Sequence, residues 1–341
     1  MARKSTQRQT IDKLLAKYEP EIRKVFLESI EKIKSRVVLK KLIAELEINN
    51  INGAIAVLDI DFTDFAQLDN ILSQTYNAGG VELADYLPAL FDADGARVVI
   101  RFNARNIRAE QWLKDRSSNL ITNIVNDQKI SIRNVLTEGL AKGQNPRTIA
   151  LDIVGRVEKG KREGGLIGLT TQQARYVADA REELLNGRNE YFIRLRRDKR
   201  FDSTIRTAFK EGRQLDNATV DKITGRYSSS LLKLRGDTIA RTEALASLNS
   251  AKDEAFQQGL EKTSYSQQDV SKVWRSASDK RVRDSHVSLN GQTVYGLNAA
   301  FVSSTGAHLK FPHDSSLGAG AEDIINCRCI VQYKIDFAKN L

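Results

Sequence analysis

Residues 324–331 read Ile-Ile-Asn-Cys-Arg-Cys-Ile-Val. The run is apolar and rich in β-branched residues, and the pattern continues to Ile335, so residues 324–335 are expected to close the chain as a buried strand. Side chains two apart on a strand share a face, which would point Cys327 and Cys329 at one object. That spacing rarely reaches disulfide geometry, and two cysteines in 341 residues do not make a disulfide scaffold; a reduced, cytosolic setting is the simpler inference. The three histidines, His286, His308 and His313, fall in the same last quarter. Four-coordinate zinc would ask for two of them beside Cys327 and Cys329. The spacing fits no standard zinc finger, and buried thiols acting as small hydrophobes are the plainer alternative.

Upstream of this run, Val273 and Trp274 read as a strand, residues 279–289 as a short helix, and Asn290-Gly291 as a tight turn into residues 292–295. Residues 301–321 are rich in glycine, serine and alanine and read as an irregular loop. Together these define a small α+β unit with long loops.

Before about residue 260 the pattern is helical. In residues 9–47, Ile11, Leu14, Leu15, Ile22, Val25, Phe26, Ile30, Ile33 and Val37 recur at helical spacing among dense charges, predicting an amphipathic helix or helix pair broken near Pro20. Its polar face carries acids as well as bases, which favours packing on its own domain over a membrane surface. A second stripe from Ile121 to Leu140 ends at Lys142-Gly143, and Asn145-Pro146 caps a helix with an apolar face of Ile149, Ile153, Val154 and Val157. Residues 159–165, rich in glycine and charge, read as a hinge or surface loop. Thr170 or Thr171 opens the next helix, and another is expected to begin near Thr238 and to carry Arg241, Glu243 and Asn249, which do not share one face and read first as separate packing partners.

The expected architecture is a mostly α-helical N-terminal region followed by a small α+β C-terminal domain. Its divisions are residues 1–158, a helical assembly region; 159–229, a basic helical region; and 230–341, the α+β domain.

With 41% hydrophobic and 28% charged residues, the composition is that of a folded globular protein. No run of about 18 apolar residues exists, and the first residues lead into a polar helix, so the chain is expected to be neither secreted nor membrane-spanning. The net charge is +10, and nearly the whole excess lies between residues 101 and 200. Arg188, Arg194, Arg196, Arg197, Lys199 and Arg200 form a candidate phosphate-neutralising patch, with a solvated or salt-bridged helix face as the alternative. Aromatic residues there are too few for a base-stacking platform.

Five ordered motifs then carry a resemblance. They are Arg241-Thr-Glu-Ala; Trp274 with Asp279-Lys-Arg-Val-Arg-Asp-Ser-His286; Leu289-Asn-Gly291; Phe311-Pro-His-Asp-Ser-Ser-Leu-Gly318; and Ile325-Asn-Cys-Arg-Cys329. In this order they resemble the phage head morphogenesis domain of the Mu F-like minor head proteins. The resemblance implies a minor capsid protein of a tailed phage or prophage, made in the host cytoplasm and built into the virion near the portal. The implied partners are the portal protein, other capsid or scaffold proteins and packaged double-stranded DNA, with roles in DNA packaging and ejection. On it, Arg241, Glu243, Trp274, Asp279, Arg281, Arg283, His286, His313, Asn326, Cys327 and Cys329 hold family positions, and His286, His313, Cys327 and Cys329 become the zinc candidates. His308 lies outside the pattern. Asp314-Ser-Ser316 stands where many relatives carry Asp-Pro-Ser.

Two alternatives accompany that reading: a non-specific DNA-binding internal virion protein, and an ADP-ribosyltransferase-like enzyme. The second would need a Ser-Thr-Ser strand and a Glu-x-Glu turn, which Ser303-Ser-Thr305 and Glu322-Asp323 match poorly. No serine or cysteine sits in a motif that would set it beside a base, so no enzyme activity and no catalytic residue are expected.

Overall fold

In the computed structural model, the residues described are 5–158 and 160–336. Helices dominate: α1 (Gln7–Arg36), α2 (Leu39–Glu47), α3 (Ile51–Leu58), α4 (Ala66–Leu83), α5 (Ile107–Ala141), α6 (Pro146–Val154), α7 (Thr171–Leu185), α8 (Asp202–Lys210), α9 (Asn217–Leu260), and the short α10 (Asp284–Val287) and α11 (Ala321–Ile324). The strands are β1 (Leu90–Phe91), β2 (Arg97–Val98), β3 (Arg156–Glu158), β4 (Lys161–Glu163), β5 (Val270–Arg275), β6 (Thr293–Tyr295), β7 (Phe301–Val302), β8 (His308–Leu309) and β9 (Ile330–Ile335). A mostly helical chain with small antiparallel sheets concentrated toward its C-terminus is the fold class expected.

The chain divides into two compact units. One draws on the residues up to Arg23, on Leu68–Ser117 and on the chain from Thr238 onward; the other on Lys24–Gln67 and Ser118–Asp237.

The unit containing the C-terminal chain is built around a three-stranded antiparallel sheet in the order β6-β5-β9. In its register Trp274 pairs with Val331 and Lys272 with Tyr333. Trp274, Phe301, Leu309, Val331 and Phe256 of α9 are fully buried in one apolar cluster that also contains Cys327 and Cys329. The second unit has its own core, in which Leu169, Ala180, Leu184, Tyr191, Ile205, Val220 and Ile223 pack together.

Several elements depart from expectation. Helix α1 runs through Pro20 without a break and stops at Arg36; a proline removes one ladder bond, and the buried residues Tyr18, Ile22 and Phe26 on either side hold the turn closed. Ile11, Leu14, Ile30 and Ile33 are buried as well, so this stripe is consumed by the protein's own core and is not free to dock other proteins. Helix α6 ends at Val154, and Val157 is exposed on β3. Helix α9 is continuous from Asn217, with no start at Thr238.

The glycine-rich stretch after residue 158, of which Lys159 lies outside the described residues, is not a surface hinge. Arg156–Glu158 and Lys161–Glu163 pair as the β3–β4 hairpin, and the chain then passes inward at Gly164, which is buried at φ +72° against the backbone of Gly225. The expected caps are present: Asn145 accepts from the Arg147 amide, and Thr170 and Gln173 form a reciprocal capping box on α7.

Candidate metal centre

The segment before β9 is where the structure departs most usefully from the sequence. Residues 321–324 are helical, 325–329 are irregular, and strand pairing begins only at Ile330. Asn326 takes a left-handed conformation at φ 57°, which asparagine tolerates better than most residues, and its amide donates to Thr242 Oγ1 on α9 (3.1 Å). Cys327 and Cys329 therefore do not share a strand face. They are turned inward by this bend, and both reach His286.

His286 sits on α10, where residues 279–283 precede the helix as a turn. Its Nδ1 lies 3.4 Å from Cys327 Sγ and 3.7 Å from Cys329 Sγ. Its Nε2 lies 3.1 Å from Asp323 Oδ1, so the ring donates there and turns its Nδ1 lone pair to the sulfurs. Asp323 is fully buried and also accepts from Ser285 Oγ (3.1 Å) and Thr305 Oγ1 (2.7 Å); Thr305 in turn meets Ser303 Oγ at 2.6 Å. Burial pushes the Cys327 thiol up, while the Cys329 thiol is lowered by its hydrogen bond with Cys327 and by His286. Trp274 packs edge-on against His286, and its buried Nε1 has no hydrogen-bond acceptor.

Among the described residues, His286, Cys327 and Cys329 are the group whose ligand atoms could hold a metal, all within 4.8 Å of one another. Tetrahedral zinc with Zn–S of about 2.3 Å and Zn–N of about 2.05 Å sets S···N edges of about 3.5 Å; the two observed separations bracket that value. A carboxylate on the far nitrogen of a ligating histidine is the usual outer support of such sites. The residues fit zinc, and Asp323 is the member that sequence reading missed, because nothing in Glu322-Asp323 signals an imidazole partner.

His313, the other zinc candidate, is not brought to the cluster. It is buried at φ 73°, its Nε2 donates to the Cys327 carbonyl (2.9 Å), and its Nδ1 accepts from Asn249 Nδ2 (3.2 Å). Burial, with Arg116 nearby, lowers it to about 3, so it is a neutral strut under the cysteine loop. His308 is exposed on β8.

The remaining motif residues brace the same loop or their own helix. Arg328 forms a paired contact with Asp279 (2.6 and 2.5 Å), which holds the Asp279 carboxyl well below the usual range. Arg281 also faces Asp279, and Arg283 donates to the Ile325 carbonyl. Arg241 meets Glu19 at 3.5 Å, and Glu243 takes a bidentate contact from Arg116 (2.7 and 3.0 Å). Arg241, Glu243 and Asn249 thus have separate partners.

Of the six basic candidates, three are spent internally. Arg194 is bidentate to Glu183 (2.6 Å twice), Arg197 to Asp202 (3.0 and 2.8 Å) and Arg200 to Asp198 (2.9 and 2.6 Å). Arg188, Arg196 and Lys199 are exposed and form no ion pair among the described residues.

A helical chain carrying a small antiparallel domain, stapled where a Cys-x-Cys loop meets a histidine, is the class these features define. The family described as Phage Mu protein F like protein matches residues 130–332, and the chain belongs to that family. No curated protein and no solved structure matches the chain. The family suggests a phage head morphogenesis protein. No described helix is long and apolar enough to cross a membrane.

Proposed function

We propose that this chain is a minor capsid protein that joins the head during assembly at the portal and remains near the path of the packaged DNA. The family match carries this reading. The site supports a structural role within it: the thiols, His286 and Asp323 are all buried. A thiol beside an imidazole braced by a carboxylate has the outline of a nucleophilic triad, and the burial of every member favours a structural use of it. The proposed occupant is zinc held by His286, Cys327 and Cys329, joining α10 to the loop before β9, so that metal binding supplies folding stability rather than turnover.

Non-specific DNA contact is the second reading, supported by the basic excess and by the three unpaired cations Arg188, Arg196 and Lys199. Co-expression with the portal protein of the same genome, followed by native mass measurement at low and high salt, separates the two. A defined number of copies on the portal ring that persists in salt is the expected result. Absence of a complex, with DNA retained only at low salt, would replace the portal reading with the DNA one.

A further inference from the structure

The segment between α7 and α8 holds two aliphatic side chains out in water. Ile193 is 78% exposed and Leu195 is 91% exposed. They face solvent together for a structural reason. Arg194 lies between them on extended backbone (φ −68°, ψ 111°) and turns inward to its bidentate contact with Glu183. Successive side chains on extended backbone alternate in direction, so both neighbours of an inward residue point out. Arg197, clamped to Asp202, donates to the Arg194 carbonyl (3.1 Å) and braces the turn from the other side.

Charge around this tip has one sign. Arg188, Arg196 and Lys199 are exposed and form no ion pair among the described residues, and the exposed Arg206 stacks 3.9 Å above the ring of Phe192. The neighbouring acids Glu183, Asp198 and Asp202 are neutralised by Arg194, Arg200 and Arg197, which leaves Glu190 as the exposed acid of the segment. A single solvated aliphatic residue is ordinary on a protein surface. Two that share a direction on a braced turn, ringed by free cations, are the arrangement of an interfacial anchor, in which apolar groups enter the headgroup and acyl boundary while cations meet lipid phosphate.

We propose that the Ile193–Leu195 tip docks on a bilayer surface that carries anionic phospholipid. Ile193 and Leu195 insert, and Arg188, Arg196, Lys199 and Arg206 hold the headgroups. The same cations support the DNA reading, and the aliphatic pair separates the two: duplex phosphates satisfy the cations and give Ile193 and Leu195 no role. Protein docking sites are anchored mainly by tryptophan, tyrosine and arginine, with leucine under-represented, and the tip exposes neither aromatic type.

Flotation of the full chain with vesicles of phosphatidylcholine alone, or of phosphatidylcholine mixed with phosphatidylglycerol, tests this. The wild type floats with the mixed vesicles, less so as salt rises, and stays behind with the neutral ones. Ile193→Ser/Leu195→Ser lowers the partition coefficient by about tenfold or more, with the melting temperature unchanged because both side chains are already solvated. Leu195→Trp supplies a positional readout: with the wild-type signal of Trp112 and Trp274 subtracted, its emission shifts to the blue on the mixed vesicles and is quenched by brominated acyl chains. Absence of flotation with the mixed vesicles at low salt overturns the proposal. Flotation that the double substitution leaves unchanged overturns it too, since cations alone would then account for binding, and so does an unshifted Leu195→Trp emission. Loss of duplex DNA retention in the double variant, with no flotation of the wild type, would reassign the tip to nucleic acid.

Discussion

His286 Nε2 lies 3.1 Å from Asp323 Oδ1, and neither side chain is more than 1% exposed. That contact fixes which imidazole nitrogen faces the two thiols, and Asp323 keeps its place through Ser285 and Thr305. Asp323→Ala strands the buried His286 Nε2 and leaves the Ser285 and Thr305 hydroxyls without their acceptor, so it should lower unfolding free energy by about 2 kcal/mol. It should also weaken zinc binding by about 10–100-fold. Urea unfolding and competition with a metal indicator check the two effects; unchanged metal affinity in a folded variant would remove Asp323 from the site.

The zinc assignment makes a prediction that free buried thiols do not. Protein purified without chelator should contain close to one zinc per chain, and stripping it should lower the melting temperature by several degrees. Cys327→Ser should abolish the metal content and make the melting curve insensitive to chelator. If chelator leaves the wild-type curve unmoved, the two cysteines are small hydrophobes and the plainer reading stands.

The helical character of the first 260 residues was legible because 3.6-residue periodicity and capping residues act locally; Asn145-Pro146 and Thr170 with Gln173 behave as written. The convergence of Cys327 and Cys329 was legible, but for the wrong reason. Period-two alternation predicted a shared strand face, whereas the left-handed Asn326, held by Thr242 more than 80 residues earlier, makes the bend. Long-range contacts of that kind leave no trace in local pattern. The same holds for the placement of His313 under the cysteine loop, and for Gly164, whose glycine-rich surroundings suggested a loop while its approach to Gly225 made it core. Counting arginines also failed to separate free cations from those committed to Glu183, Asp202 and Asp198.

Lys34 is buried, donates to the Gly164 carbonyl at 2.6 Å, and is lowered by burial to about 8 from the usual 10.5. Between these values the unfolded chain holds the proton and the native one releases it, so stability rises with pH across that window and gains nothing below it. Two and a half pH units at about 1.4 kcal/mol each allow a rise of about 3 kcal/mol. Lys34→Met removes the titrating group, and the stability difference between wild type and variant should grow in favour of the wild type from pH 8 to 10.5. Parallel stability curves over that range would show that Lys34 is charged or solvated in the native state.

Gly164 and Gly143 both have positive φ, +72° and +65°, yet their surroundings differ. A Cβ at Gly164 would come within 2.6 Å of the Gly225 Cα, a backbone atom of α9 that cannot rotate away, whereas one at Gly143 would meet nothing within 4 Å. Gly143→Ala should therefore cost only the left-handed backbone penalty, about 1 kcal/mol. Gly164→Ala adds a steric clash in the unit's interior, where the hairpin, the Lys34 contact and the Ser229 hydroxyl bonded to the Gly164 amide all converge. A loss of about 3 kcal/mol or more is expected, with thermal unfolding moved down accordingly. Equal losses in the two variants would mean that backbone conformation alone selects glycine here, and that the close passage of Gly164 over Gly225 contributes nothing to holding the hairpin against α9.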